Sequence, residues 1–137
     1  MKKINITITG CMGRMGQQLI KASKKNKRFK INSLTENKLI TKKIAGIKPQ
    51  LNTLDAFKNT DVIIDFTVPK CTIEVIKIAS IMNKRIVIGT TGFTKKEENV
   101  INSHAKKIAI LKAGNMSLGV NLLMYLTEIT SGALGNK

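Results

Sequence analysis

Tryptophan is absent, tyrosine and histidine occur once each, and phenylalanine four times in 137 residues. So few rings leave no series of stacking platforms of the kind that single-strand nucleic-acid binders use. The lone imidazole, His104, falls in a helical stretch beside Ile101 and Ala105. Without a partner it supports neither a catalytic triad nor a metal site, and it reads as a structural or surface residue. Cysteine is limited to Cys11 and Cys71, far apart and outside any C-x-x-C spacing, so neither a disulfide framework nor a zinc site is implied. No apolar run reaches membrane-spanning length. Met1-Lys2-Lys3 followed by alternating Ile and Thr lacks the apolar core of a signal peptide. The expected setting is the cytoplasm, with no membrane partner.

Acidic residues are also few. Eight stand against 24 Lys and Arg, for a net charge of +16. Such an excess normally points to nucleic acid or an anionic surface. Here it is scattered, in Lys24, Lys25 and Lys27, in Lys42 and Lys43, in Lys95 and Lys96, and in Lys106 and Lys107, each group near a predicted helix end or loop. These read as solvated faces that add attraction for phosphorylated ligands. A basic nucleic-acid or phospholigand-binding module without redox chemistry is the alternative reading. The 42% apolar content suits one domain with a real core.

What is present is organised around Ile4–Leu19, INITITGCMGRMGQQL. Apolar residues alternate with hydroxyl or amide residues through Ile8, the pattern breaks at Gly10, and helical spacing follows. That is strand, glycine turn, helix. Glycines at 10, 13 and 16 permit a tight turn, close approach of backbone to a ligand, and close packing of helix on strand. The free N–H groups of the first helical turn, with the helix dipole, favour an anion such as a phosphate. The G-x-x-G-x-x-G spacing differs from the usual dinucleotide fingerprint, so the turn by itself is a modest signal.

Met15, Leu19, Ile20 and Ala22 form the apolar stripe expected for the first helix. Phe29, Ile31 and Leu34 belong to a second strand ending near Thr35. Glu36 follows at the strand tip, where a dinucleotide fold keeps the acid that bonds ribose hydroxyls. Residues 37–53 read as a long loop with one short extended piece, and Leu54–Phe57 as a short helix. Asp61–Phe66 is apolar on both faces, as a central parallel strand requires. Pro69 opens a helix with the stripe Thr72, Val75, Ile76, Ala79 and Met82. Arg85–Ile88 is a buried strand ending in Gly89-Thr90-Thr91-Gly92. Thr94 and Glu97 form a capping box for the next helix. Ile108–Leu111 is a further strand, and Leu122–Ile129 a helix apolar all round, which predicts that it is covered all round.

Strands and helices in this rhythm build an α/β doubly wound parallel sheet whose carboxyl edge forms the ligand crevice. The glycine turn, Glu36, Asp65-Phe66-Thr67, Gly89–Gly92 and Ala113–Ser117 all fall on that edge. Asp65 could act as a base, yet its strand-end position before Thr67 suits backbone and loop hydrogen bonding better. Cys11 would be oxidation-prone if the helix N-terminus lowered its pKa; the plainer reading is a residue small enough to fit.

Four linked segments then resemble, in order and spacing, the amino-terminal half of the 4-hydroxy-tetrahydrodipicolinate reductase family, of the diaminopimelate route to lysine. They are Gly10-Cys11-Met12-Gly13-Arg14-Met15-Gly16, Ile64-Asp65-Phe66-Thr67-x-Pro69, Ile88-Gly89-Thr90-Thr91-Gly92-Phe93 and Gly114-Asn115-Met116-Ser117-x-Gly119-Val120-Asn121. The resemblance implies a Rossmann-type domain and hydride transfer from NADH or NADPH to a cyclic dicarboxylate with loss of water. It implies that Gly10, Cys11, Met12, Gly13, Arg14 and Met15 cradle the pyrophosphate and that Glu36 takes the ribose hydroxyls. Gly89, Thr90 and Thr91 would line the nicotinamide side, and Ala113, Gly114, Asn115 and Met116 would close over the ring. Two departures stand out. Asn37 occupies the place of a basic residue that receives the 2′-phosphate of NADPH, with Lys38, Lys42 and Lys43 near enough to substitute. The family's paired histidines, lysine acid and Gly-Thr carboxylate loop have no counterpart up to Lys137. Residues 1–119 are therefore expected to be the dinucleotide-binding domain, and 120–137 a helix leading into a missing substrate and oligomerisation domain, with an uncovered apolar face that such a domain would bury and that favours association. The expected catalytic residues lie beyond Lys137, so none is assigned here.

Overall fold

The computed structural model describes residues 2–135. Six parallel strands stand in the order β3-β2-β1-β4-β5-β6, the arrangement of doubly wound dinucleotide-binding domains. They are β1 (Ile4–Thr9), β2 (Phe29–Glu36), β3 (Gln50–Leu51), β4 (Val62–Asp65), β5 (Arg85–Ile88) and β6 (Ile110–Lys112). The helices are α1 (Arg14–Lys25), α2 (Leu54–Phe57), α3 (Pro69–Ile81), α4 (Lys95–Ala105) and α5 (Leu118–Leu134). The chain order reverses between β1 and β4, so the crevice opens at the carboxyl ends of those two strands.

β1 lies in the middle of the sheet, and its alternation separates two cores rather than core from solvent. Ile6 and Ile8 pack with Ile20 of α1 and Leu34 of β2 on one face. On the other, Phe57, Ile63, Val75, Ile76, Ile86, Ile88 and Ile101 join α2, α3 and α4 to the sheet. Thr7 and Thr9 point to that second face, fully buried, and each finds a hydroxyl or carboxylate partner. Local signals hold at the helix starts. Pro69 occupies the first turn of α3, and Thr94 and Glu97 cap α4 reciprocally.

Four expectations are corrected. α1 buries Gly16, Ile20 and Ser23, whereas Met15 and Ala22 are exposed. Because Gly16 has no side chain, the helix can lie so close to the turn that its packing face is rotated from the apolar stripe. The α3 stripe is Cys71, Thr72, Val75, Ile76 and Ala79, and Met82 is its half-buried C-cap. β6 starts at Ile110, not Ile108. Ile108 is spent instead as a core anchor in the turn before it, bonded through its N–H to the His104 carbonyl. Finally, α5 spans more than Leu122–Ile129 and none of its described residues is buried. Asn136 and Lys137, the end of the segment predicted to follow residue 119, lie outside the described residues. Among the described residues no helix is long and apolar enough to cross a membrane.

A Cβ on Gly16 would sit 2.2 Å from the Gly10 carbonyl oxygen, inside backbone that has nowhere to move. Gly16→Ala is therefore expected to destabilise the fold by about 2 kcal/mol in urea unfolding, as overpacking does. Gly132→Ala, with nothing within 4 Å, is the control, and it should be neutral or raise stability by a few tenths of a kcal/mol on helix propensity.

Candidate functional site

The glycine turn adopts a left-handed residue at Gly10, φ +62°, from which Gly13 N–H bonds back to the Gly10 carbonyl at 3.0 Å. Cys11 N–H donates to the Thr35 carbonyl at 3.2 Å, and the Gln17 amide donates to the Cys11 carbonyl at 2.6 Å. These bonds dock the turn against the end of β2 and so bring Glu36 beside it. Met12, Gly13, Arg14 and Met15 remain exposed around the turn. The N-cap of α1 is Gly13, with no capping side chain and no acid in the first turn. The first amides of α1 thus face the crevice edge with no side-chain acceptor, which fits an anionic ligand there.

Glu36 is half-buried, and burial is the main cause of a pKa raised above the ordinary glutamate value; the Met12 backbone amide and the Lys38 charge pull the other way. Cys11 has no exposed surface and belongs to the core, so it contributes backbone only. Its thiol is pushed up to about 11, first by burial and then by the Glu36 charge. The helix terminus does not activate it; the small-filler reading is the right one. Cys71 is likewise raised, chiefly by burial.

A cleft of about 620 Å³ opens beside the turn, lined by Met15, Leu19, Ile64, Phe66, Val87 and Gly89 and closed on the far side by Ala113, Gly114, Asn115, Met116 and Ser117. Thus Met15, Gly89 and the 113–116 segment meet in one place. Asn115 shapes its own loop, its side-chain oxygen accepting from Ser117 N–H at 3.0 Å. Of the threonines after β5, Thr91 is exposed while Thr90 is 4% exposed and turned inward.

The sequence reading placed Phe66 on the carboxyl edge of the sheet but gave its side chain no role. Its ring lies against Gly89, where a Cβ would come within 2.0 Å of Cε1. The only signal for it was its place directly after the acid of the central strand. His104 is half-buried at the end of α4, and among the described residues its Nδ1 has no partner. Among the described residues no three His, Cys, Asp or Glu are grouped to hold a metal.

The family model "Dihydrodipicolinate reductase, N-terminus" matches residues 4–116. The 4-hydroxy-tetrahydrodipicolinate reductase of Pelagibacter ubique is 69% identical over 137 residues, 100% of this chain and 53% of that protein. The enzyme of the same name from Buchnera aphidicola subsp. Schizaphis graminum is 44% identical over 147 residues, 98% of this chain and 54% of that protein. A dipicolinate-bound dihydrodipicolinate reductase from Paenisporosarcina sp. TG-14 superposes with a TM-score of 0.77 at 25% identity, over 93% of this chain and 53% of that one. The chain spans about half the length of the curated relatives it matches.

With both thiols buried and raised, neither should react with thiol reagents at pH 8 until the fold is opened by denaturant. Because the Cys11 pKa is higher in the folded than in the unfolded chain, its contribution to stability is present below about pH 8.5. Urea titrations should show that contribution lost as the pH rises toward 11.

Proposed function

The chain belongs to the dihydrodipicolinate reductase family, and on that premise we propose that it is the cofactor-binding part of such a reductase. The observation that carries the proposal is the meeting of an uncapped glycine turn, Glu36 and the Gly89 and Ala113–Met116 segments at one end of one sheet. The glycine turn, residues 10–15, cradles the pyrophosphate, with the Arg14 and Met15 amides at the start of α1 turned to it and Arg14 adding charge, and the Glu36 carboxylate accepts the ribose hydroxyls. Gly89, Thr91 and residues 113–116 hold the nicotinamide ring flat. Bound NADH or NADPH supplies the hydride. Asn37 and the nearby lysines, Lys38, Lys42 and Lys43, suit either cofactor.

The substrate is a cyclic dicarboxylate, in keeping with the dipicolinate bound by the similar structure. No residue of this chain is assigned to the chemical step. Residues 1–119 form the cofactor unit. α5 begins the path toward a substrate and assembly region of the sort that fills the remaining length of the relatives, and its apolar sides are the surface such a region covers.

Titration of the purified chain with NADH, followed by reduced-nicotinamide fluorescence, tests the cofactor reading. Glu36→Ala should weaken NADH by roughly tenfold, the size expected for losing hydrogen bonds to a charged acceptor. Since the Glu36 pKa is raised, affinity should begin to fall, on acidification, above the pH at which an ordinary glutamate protonates. No binding of NADH or NADPH at millimolar concentration, together with salt-sensitive binding of DNA or RNA, would instead favour the basic-module reading.

Leu118, Leu123, Met124, Tyr125 and Leu134 are each more than half exposed on α5. Light scattering of the 137-residue chain should accordingly show self-association, as large apolar patches produce. A clean monomer at high concentration counts against α5 as an interface.

A further inference from the structure

Asp65 is fully buried at the end of β4 and touches none of the open cleft. Its carboxylate nevertheless gathers four threonine hydroxyls from four different segments. Thr9, at the end of β1, and Thr67, in the β4–α3 loop, donate to Oδ1, the latter at 2.8 Å. Thr72, in the first turn of α3, and Thr90, just past β5, donate to Oδ2, the latter at 3.1 Å. That fills the acceptor capacity of a carboxylate. Among the described residues no Lys, Arg or His forms an ion pair with it.

The cage has a second layer. Thr90 Oγ1 accepts from Thr67 N–H at 2.9 Å and lies 3.0 Å from the Thr72 hydroxyl, whose single proton goes to Asp65, while Gly89 N–H donates to the Asp65 carbonyl at 2.8 Å. Phe66 and Thr67 are thereby held as a wedge between two glycine positions. The Thr67 methyl fills the space a Cβ on Gly10 would need, at 2.6 Å, and the Phe66 ring covers Gly89.

We propose that Asp65 is a positioning residue for the nicotinamide side of the crevice: through Thr67, Thr72 and Thr90 it sets where the Phe66 ring and the Gly89–Thr91 segment stand relative to the glycine turn. This rests on the cofactor reading above. Asparagine at 65 presents two N–H donors where two hydroxyls now donate. The Thr72 and Thr90 protons must then turn away from position 65, so the wedge loses its anchor. The adenosine end is held by the glycine turn and Glu36; that turn meets the cage through Thr9 and Thr67, both on Oδ1, an acceptor that asparagine keeps.

The test compares NADH with ADP-ribose, which lacks the nicotinamide, on the 137-residue chain and three variants. Asp65→Asn and Thr72→Val should raise the NADH Kd by about tenfold and leave ADP-ribose within about twofold. Thr72→Ser, which restores the hydroxyl, should recover NADH binding. If Asp65→Asn does not fold, the Thr72 pair carries the comparison. Equal weakening of both ligands marks a general structural role and overturns the proposal, as does an unchanged NADH Kd in Thr72→Val. Failure of the unsubstituted chain to bind either ligand overturns the cofactor reading itself and this inference with it.

Discussion

Three backbone segments meet at the carboxyl edge of the sheet more closely than any ordinary side chain allows. The Phe66–Thr67 loop touches the turn at Gly10 on one side and the strand end at Gly89 on the other, and α1 presses on the same turn through Gly16. This contact is what makes a crevice rather than a set of loops, because each segment is positioned by its neighbour's atoms. The buried Asp65 and its four hydroxyl donors hold the arrangement from below. A buried carboxylate is costly unless its hydrogen bonds are met, so the surrounding threonines are as much a part of the site as the glycines.

The remainder of the molecule divides cleanly in its physics. The α3 and α4 side of the sheet is a filled apolar core, and the α1 side is filled under β1 and β2. Beyond β4 that second side thins out, with Val87 half-buried and Leu111 60% exposed. α5 is apolar and lies outside both cores. The net charge of +16 is scattered over solvated faces rather than gathered in one stripe.

Much of this was legible in the chain because the signals are local. Pro69 and the Thr94–Glu97 pair mark helix starts within a single turn, and the apolar runs at Ile63 and Ile86 mark central strands. Glu36 was found by its distance from the glycine turn, a spacing that the strand–helix–strand unit enforces. Less legible were the properties that depend on what lies opposite. The stripe of Met15 and Ala22 looked like a packing face, but Gly16 brings the helix in on a neighbouring line. Ile108 looked like strand, but the strand begins later and the residue packs from the turn. α5 looked like a buried helix, but composition cannot supply the surface that would cover it. Thr90 read as part of the segment lining the nicotinamide side, and only the fold shows its side chain turned inward to Asp65.

By itself, then, the sequence determined the order of elements, the parallel doubly wound sheet, the edge on which the crevice lies and the family to which the chain belongs. Those follow from periodicity, glycine placement and linked motifs, which act over a few residues at a time. Tertiary structure alone decided the raised pKa of Cys11, the Phe66–Gly89 contact and the threonine cage of Asp65. Each joins residues brought together only by the pairing of β1, β4 and β5 or the docking of the turn on β2. Burial and hydrogen-bond geometry are properties of such neighbours, and no local pattern in the chain encodes them.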